Sequence, residues 1–197
     1  MIRRIDDPVR TFDGLRMTAD EYFELGETEE RYELIDGVIH MSPSPFPEHQ
    51  HVVMEISGQI WHFLRTNPVG RVRTDLDVCL RIGAPGHDLV YQPDVVFIRD
   101  QRLASQRRRI VEPPDVVVEV ASKSSRRFDR ETKRADYERF GVMEYWIIDP
   151  EEDSFLFLRL QDGSYVAVPP ESDAYRSTAI PGFVLDLARI KEVFRLE

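Results

Sequence analysis

The sequence predicts an α/β sandwich, in which helices cover a mixed β-sheet. Stretches with the apolar spacing of helices alternate along the 197-residue chain with short apolar stretches of strand length. The stretches at about residues 90–98 and 115–121 are continuously apolar, which is typical of central strands covered on both faces. The predicted order is a hairpin, a helix, three strands, a helix and further strands, and this order favours an α/β fold.

The N-terminal part predicts a short helix followed by a β-hairpin. Thr18 and Glu21 have the spacing of a capping box, and the helix that they begin is expected to end near Gly26. Residues 31–41 place the dipeptide Asp36-Gly37 between two apolar stretches. Asp-Gly in this setting is a strong hairpin signal, so the turn is expected there.

A long helix and three strands are predicted in the middle of the chain. The proline-rich residues 42–47 predict a rigid connector, and residues 48–65 then carry a stripe of apolar residues at helical spacing. Residues 72–82 alternate apolar with mostly polar side chains, which predicts one strand with a dry face. The two apolar stretches at 90–98 and 115–121 supply the central strands.

The C-terminal part predicts a helix, further strands and a closing helix. The helix is expected over residues 129–140, where Asp129 would be the N-cap and Gly141 would end it. A strand follows at residues 144–149, and residues 154–168 predict a second hairpin around an Asp-Gly turn. A last strand near residues 183–185 leads into the closing helix.

Charge and composition limit the classes of function. The net charge of −10 argues against a protein that coats nucleic acid, although residues 99–134 hold eleven Lys or Arg against six Asp or Glu. This basic segment could contact phosphates, or its Arg107–Arg109 run could be a solvated loop. Cys79 is the only cysteine, so no internal disulfide can form and a reducing cytoplasm is expected. No apolar stretch predicts a membrane span or a secretory signal.

Two acids in or beside the apolar strands predict a metal site. Asp94 follows Pro93 at the start of one strand, and Glu119 lies near the end of the next. Burying such acids is costly unless they are paired or hold a metal, and Mg²⁺ accepts one or two protein carboxylates. Lys133, on the following helix, could stabilise charge on a phosphodiester under attack. Alternatively, Asp94 is a turn acid and Glu119 is salt-bridged to an arginine such as Arg126.

Other residues are weaker candidates for the same site. Glu33, in the first hairpin, could be a third metal-binding carboxylate or part of a solvated strand face. His49, at the start of the long helix, could contact substrate or metal, or it could be a surface histidine. Tyr137 lies one helical turn after Lys133 and could support it or lie at the edge of the core.

The sequence resembles the Uma-two family of restriction endonucleases, within the PD-(D/E)XK nuclease superfamily. The resemblance covers roughly residues 18–150 and is specific only as a combination. Its pieces are residues 32–37, 41–43, 49–50, 93–95, 119–122 and 141–146, together with Asp129, Lys133 and Tyr137.

The resemblance implies a restriction-endonuclease-like core and metal ligation by Asp94 and Glu119. The superfamily pattern has a lysine two residues after the second acid, whereas this chain has Ala121 there. The lysine is therefore expected on the following helix as Lys133, with Lys123 as a second candidate. One domain is expected over residues 1–197, with the core at about 18–150 and C-terminal strands and a helix at 151–197.

The function predicted on this basis is that of a cytoplasmic endonuclease that hydrolyses DNA with Mg²⁺ or Mn²⁺. Asp94, Glu119 and Glu33 would hold the metal, and Lys133 would stabilise charge. Arg126, Arg127 and Arg130, with His49, would be the nearest nucleic-acid contacts, and a homodimer is expected. Two alternatives remain open at this point. The first is a binding or assembly module that keeps the nuclease fold with weak or no catalysis, and the second is a nuclease acting on RNA or nucleotides.

Overall fold

The computed structural model describes residues 12–26, 28, 30–42, 46–83, 86–103 and 110–194. Its chain is arranged in two compact units, formed by residues 1–44 with 81–90 and by residues 45–80 with 91–197. The assignment of residues 1–197 to a single domain stays a prediction. The Arg107–Arg109 run and residues 43–45 of the predicted connector lie outside the described residues.

Six α-helices, one π-helical turn and twelve strands make up the described part of the chain. In chain order they are α1 (Ala19–Glu24), β1 (Arg31–Ile35), β2 (Val38–Ser42), α2 (Pro47–Leu64), β3 (Gly70–Thr74), β4 (Val78–Arg81), β5 (Leu89–Tyr91), β6 (Val95–Arg99), α3 (Asp100–Leu103), β7 (Val116–Val120), α4 (Arg126–Phe128), the π-turn (Asp129–Lys133), α5 (Arg134–Phe140), β8 (Glu144–Asp149), β9 (Ser154–Gln161), β10 (Ser164–Ala167), β11 (Ala174–Arg176), β12 (Val184–Asp186) and α6 (Leu187–Phe194). Among these helices, none is both long and apolar enough to cross a bilayer.

The first unit contains the predicted capped helix and hairpin. The Thr18 hydroxyl accepts a hydrogen bond from the Glu21 backbone N–H, and Glu21 accepts one from the Thr18 N–H at 2.7 Å. This capping box is confirmed. Strands β1 and β2 are antiparallel around Asp36-Gly37, also as predicted. Gly37 has φ 72°, and a Cβ there would lie 2.9 Å from the Gly86 Cα, so the turn requires glycine.

The second unit is built on a six-stranded sheet in the order β10-β9-β8-β7-β6-β3. Its pairs are antiparallel except for β7 with β8, which are parallel. The mixed sheet is thus confirmed. Parallel neighbours need a long crossover connection, and here the crossover carries α4, the π-turn and α5. Strands β11 and β12 form a separate pair, of which the sequence predicted only β12.

The core of the second unit lies between the sheet and helix α2. The predicted apolar stripe of α2 is buried, and it packs against alternate residues of β6 and β7. Helix α6 closes the same core through Leu187 and Ile190. The α2 residues concerned are Val52, Val53, Ile56 and Ile60, and the strand residues are Val95, Phe97, Val116, Val118 and Val120. The opposite sides of β6 and β7 therefore face away from α2.

Three details of the sequence prediction are wrong. Residues 72–82 form two strands, because Asp75 adopts φ 49°, which breaks the extended backbone. The apolar stretch at 90–98 is also two strands, β5 and β6, interrupted at residues 92–94 around Pro93, which has no N–H to donate. Finally, Asp129 is not an N-cap, because the helical segment already begins at Arg126.

Glu144 ties the C-terminal segment to the sheet. Its carboxylate is fully buried and accepts hydrogen bonds from the indole N–H of Trp146 and from both hydroxyls and two backbone N–H groups of residues 177–179. Burying a carboxylate is costly unless its oxygens are hydrogen-bonded, as they are here. This acid therefore has a structural role, in which it holds residues 177–179 beside β8.

A matched pair of glycine substitutions tests the packing around α2 and β3. A Cβ at Gly70 would overlap the Ile98 carbonyl and lie 2.5 Å from the Phe97 ring, whereas a Cβ at Gly58 would meet nothing within 4 Å. We expect Gly70→Ala to lower the free energy of unfolding by about 2 kcal/mol or more. Gly58→Ala, in the exposed middle of α2, should raise it by about 0.5–1 kcal/mol. Urea unfolding measures both, and equal effects would contradict the packing.

The buried tyrosines predict loss of stability at alkaline pH. Burial raises the pKa of Tyr145, Tyr165 and Tyr175 above the ordinary value. Because the unfolded chain then ionises first, their stabilising effect is complete below the unfolded pKa of about 10 and is lost as pH rises above it. The slope is up to about 1.4 kcal/mol per pH unit for each tyrosine.

Tyr165 offers the test of this dependence, since its hydroxyl donates to the Val142 carbonyl and Phe conserves the ring. Urea unfolding at several pH values above 9 should give a shallower slope for Tyr165→Phe than for wild type. Identical slopes would contradict the assignment.

Candidate active site

The pairing of β6 with β7 brings Asp94 and Glu119 to the same place. Val95 lies opposite Val118 in this antiparallel pair. Asp94 directly precedes Val95, and Glu119 directly follows Val118, so the two acids occupy the next opposed positions. Side chains at opposed positions share one face of a sheet. Glu119 lies on the face of β7 directed away from α2, because Val118 and Val120 belong to the core beneath that helix. Asp94 lies just before β6, where its carboxylate also reaches His49 of α2.

Asp94 is fixed to the neighbouring strand. Its Oδ2 accepts a hydrogen bond from the Val120 N–H at 2.7 Å and lies 3.1 Å from Nε2 of His49. The side chain is buried. Asp94 follows a proline, which is typical of a turn residue. Its carboxylate nevertheless contacts both the backbone of β7 and the imidazole of His49. Its position is therefore set by tertiary contacts.

Glu119 is paired with the lysine that the sequence singled out. Its Oε1 accepts hydrogen bonds from Lys133 Nζ at 2.9 Å and from the Tyr137 hydroxyl at 3.0 Å. Glu119 is 5% exposed, Lys133 is 6% exposed and Tyr137 is fully buried. An ion pair at this depth is desolvated, so each charge depends strongly on the other.

The π-turn places Lys133 over this acid. The turn spans Asp129–Lys133, between the α-helical segments α4 and α5. Such turns are rare and frequently lie at functional sites. Lys133 Nζ also lies 4.0 Å from Oδ1 of Asp129 and 5.2 Å from the centre of the Tyr91 ring. The ammonium is thus held by two carboxylates and an aromatic face.

The structure distinguishes the two candidate lysines. Lys123 is exposed in the turn after β7, whereas Lys133 is buried against Glu119. Ala121 occupies the position where the superfamily pattern has its lysine, and it is buried. The Lys133 ammonium therefore reaches the second acid from the crossover helix.

His49 lies in the first turn of α2, and its side chain is 16% exposed. Since a carboxylate can only accept, Nε2 must be the donor to Asp94. Its Nδ1 is buried and has no hydrogen-bond partner within the described part of the chain. The sequence offered a surface histidine as the alternative, and the structure instead places His49 in contact with the first acid.

Glu33 lies on β1 in the first unit, opposite His40 of β2, and it is buried. Its part as a third metal-binding carboxylate stays a prediction. In the second unit, two carboxylates with an adjacent imidazole suit a divalent cation that keeps several waters. Within the described ranges, no group of three or more His, Cys, Asp or Glu is arranged to hold a metal ion.

The three arginines predicted as phosphate contacts differ in their surroundings. Arg126 pairs with Asp149 and, at 3.0 Å, with Glu151, and these partners raise its pKa. Arg130 donates to the Ser154 hydroxyl at 3.2 Å. Arg127 is paired with an exposed glutamate one helical turn away, and its side chain is 85% exposed. Their contact with nucleic acid stays a prediction.

Two tyrosines at the site carried no signal in the sequence. Tyr145 is fully buried, and burial together with the charges of Glu119, Asp129 and Asp94 raises its pKa. The Tyr91 hydroxyl donates to Oδ2 of Asp136 at 2.6 Å, while its ring faces Lys133. Both lie in apolar strands, where a tyrosine is normally a core residue.

Comparison with known proteins assigns the chain to a family. The family model described as "Uma2: Putative restriction endonuclease" matches residues 19–188. The chain belongs to the Uma2 family. The matched range includes Glu33, Asp94, Glu119 and Lys133. The family assignment from the sequence motifs is therefore confirmed.

The fold of this Uma2 family member is also that of a solved structure. The crystal structure of a putative nuclease from Anabaena variabilis matches with a TM-score of 0.74 and 20% identity, over 90% of this chain and 99% of that one. This likeness confirms the α/β, restriction-endonuclease-like fold. Comparison with curated proteins gives no match. The family and the structural neighbour are both described as nucleases.

A double-mutant cycle tests the buried ion pair of this Uma2 family member. Lys133→Met leaves the Glu119 carboxylate without its cation, so we expect it to lower the free energy of unfolding by about 3 kcal/mol. Combining it with Glu119→Gln should cost less than the sum of the single effects by about 1–3 kcal/mol. Chemical denaturation measures all four proteins. Lys123→Met is the control and should change stability by less than about 0.5 kcal/mol, and additive effects in the cycle would contradict the coupling.

Proposed function

We propose that this protein is a metal-dependent endonuclease that hydrolyses phosphodiester bonds of DNA. The observation that carries the proposal is the placement of Asp94 and Glu119 at opposed positions of β6 and β7, with Lys133 Nζ 2.9 Å from Glu119. Two acids can hold a divalent cation and a lysine can stabilise charge on the phosphoryl oxygens, so this set suits phosphodiester hydrolysis. The nuclease descriptions of the family and of the structural neighbour support the same chemistry.

Each residue of the set has a proposed part. Asp94 and Glu119 would hold Mg²⁺ or Mn²⁺, and Glu33 would assist. When bound, the cation would supply Lewis-acid stabilisation and lower the pKa of a bound water. His49 would keep the Asp94 carboxylate in place.

Lys133 would neutralise charge that develops on the phosphoryl oxygens as water adds to phosphorus and the bond to the leaving oxygen breaks. Arg126, Arg127 and Arg130 are the proposed phosphate contacts, and a homodimer would allow both strands to be cut.

One observation favours a second candidate function. Oε1 of Glu119 accepts hydrogen bonds from both Lys133 and Tyr137, and these contacts are enough to explain a buried carboxylate. A nuclease fold kept as a binding or assembly module could use the same ion pair only for stability. Calorimetric titration of Mn²⁺ into wild type and into Asp94→Ala and Glu119→Ala separates the two proposals. The nuclease proposal expects binding that both variants lose, while the module proposal expects folded protein without binding by wild type.

Cleavage of DNA tests the proposal directly. We expect purified protein with Mg²⁺ or Mn²⁺ to cleave DNA, and EDTA to abolish the activity. Asp94→Asn, Glu119→Gln and Lys133→Met should each lower the rate about 100-fold or more, because each removes charge used in the transition state. Gel assays of labelled DNA measure the rate, and parallel assays with RNA test the alternative substrate.

The matched controls for these variants are Glu131→Gln and Lys123→Met, which change exposed residues of the same charge. Both should retain the wild-type rate. An Asp94→Asn protein as fast as wild type, prepared free of contaminating nuclease, would refute the proposed roles.

A further inference from the structure

An exposed stripe follows the face of α2 opposite its buried side. His51, Met54, Gly58, Trp61 and Arg65 are spaced by three and four residues, so they lie on one side of the helix and its C-cap. All five are exposed. Met54 and Trp61, at 67% and 56% exposure, are among the most exposed large apolar residues described. A solvated helix face normally carries charged side chains here.

The stripe borders an open groove of about 430 Å³ beside β3, the edge strand of the six-stranded sheet. Gly58 leaves the floor of the groove open, since a Cβ there would meet nothing within 4 Å. Among the residues that the structure describes, none that lines the groove is acidic. The lining residues are Met54, Ser57, Gly58, Trp61, Val72, Arg73 and Thr74.

Two arginines lie beside the exposed indole or in the groove that it lines, although the chain has a net charge of −10. The Arg65 guanidinium lies 5.2 Å from the centre of the Trp61 ring. Arg73, on β3, lines the groove. An exposed aromatic ring among guanidinium groups is the combination that binds single-stranded nucleic acid, in which bases stack on the ring and phosphates contact the cations.

The groove begins close to the candidate active site, within the same unit. Thr74 at one end of the groove lies opposite Val95, which directly follows Asp94. The stripe starts at His51, two residues after His49. From His51 to Arg65 it extends about 21 Å along α2. A strand bound along this groove would therefore run toward the start of α2, where His49 contacts Asp94.

We propose that the α2–β3 groove binds single-stranded DNA, with a base stacked on Trp61 and phosphates on Arg65 and Arg73. A duplex offers no unstacked base to the indole, so the groove selects the single strand. The choice of DNA as the ligand rests on the proposed function. The groove itself rests on the exposure of Trp61 and on the charges beside it.

Tryptophan fluorescence gives a direct test, because the chain has two tryptophans and Trp146 is fully buried. Oligothymidylate of about twelve nucleotides, within the site sizes known for such proteins, is added in EDTA, so that binding is measured without cleavage. We expect the Trp61 emission to be quenched on binding. Anisotropy of a labelled oligonucleotide should show about tenfold weaker binding by Trp61→Ala, and Trp61→Phe should recover most of the affinity.

Charge and surface controls complete the design. Arg73→Ala should weaken binding several-fold and make it less dependent on salt, as expected for a lost phosphate contact. Val166→Ala, an exposed apolar residue on β10 at the far edge of the sheet, and Arg139→Ala, an exposed arginine on α5, should bind as wild type does. Circular dichroism confirms that each variant is folded.

Three results would overturn the inference. They are binding without quenching, equal affinity of Trp61→Ala and wild type, and equal affinity for duplex and single strand. Self-association that Trp61→Ala abolishes, without binding of the oligonucleotide, would assign the groove to a second copy of the chain and refute the proposal. Because these measurements exclude metal, loss of cleavage and loss of binding are separate outcomes. A protein that cleaves DNA but does not bind through Trp61 would refute only the groove.

Discussion

The antiparallel pairing of β6 with β7 is the constraint on which the candidate site depends. It sets Asp94 opposite Glu119, and the Asp94 carboxylate reinforces it by accepting the Val120 N–H. Just before β6 begins, the Asp94 side chain thus accepts the hydrogen bond that a backbone carbonyl would accept within a strand pair. The same pairing fixes the alternate face, on which valines pack under α2. A shift of β7 by one residue would turn Glu119 into the core under α2 and the valines toward Lys133, so packing and site enforce one register.

The charges of the site are compatible with an apolar strand because each has a specific partner. Strand β7 is buried along its whole length, yet it includes Glu119. Its carboxylate receives an ammonium and a phenol, and the ammonium in turn contacts an aromatic ring. Burial strengthens each of these attractions and penalises the loss of any one. The atoms of the buried ion pair that stabilise the strand are therefore the same atoms that are proposed to take part in the chemistry.

The sequence predicts most of the fold because its signals are local. The capping box at Thr18, the Asp-Gly turns and the buried stripe of α2 depend only on neighbours along the chain. The break at Asp75 does not follow from the residue type, since aspartate adopts positive φ only in particular contexts. The spacing of apolar residues likewise does not predict the π-turn at Asp129–Lys133.

Of the site, the acids and lysine are predictable as candidates, because charges in apolar stretches stand out. Their partners are not predictable in this way. Tyr91 and the Asp94–His49 contact depend on which elements meet in the tertiary structure. The groove beside Trp61 is not predictable from the sequence either, because it depends on which side of α2 the sheet leaves uncovered.

The parallel pairing of β7 with β8 has a consequence for how the chain folds. Glu119 lies on the first of these strands, and Lys133 lies in the crossover between them. Joining parallel strands requires closing a long loop before any pairing energy is gained, which makes such contacts slow to form. Lys133 can reach Glu119 only when this crossover docks on the sheet. We therefore expect the ion pair and the centre of the sheet to form together, late in folding. A chain in which the crossover has not docked would therefore have neither the Lys133–Glu119 ion pair nor the β7–β8 pairing.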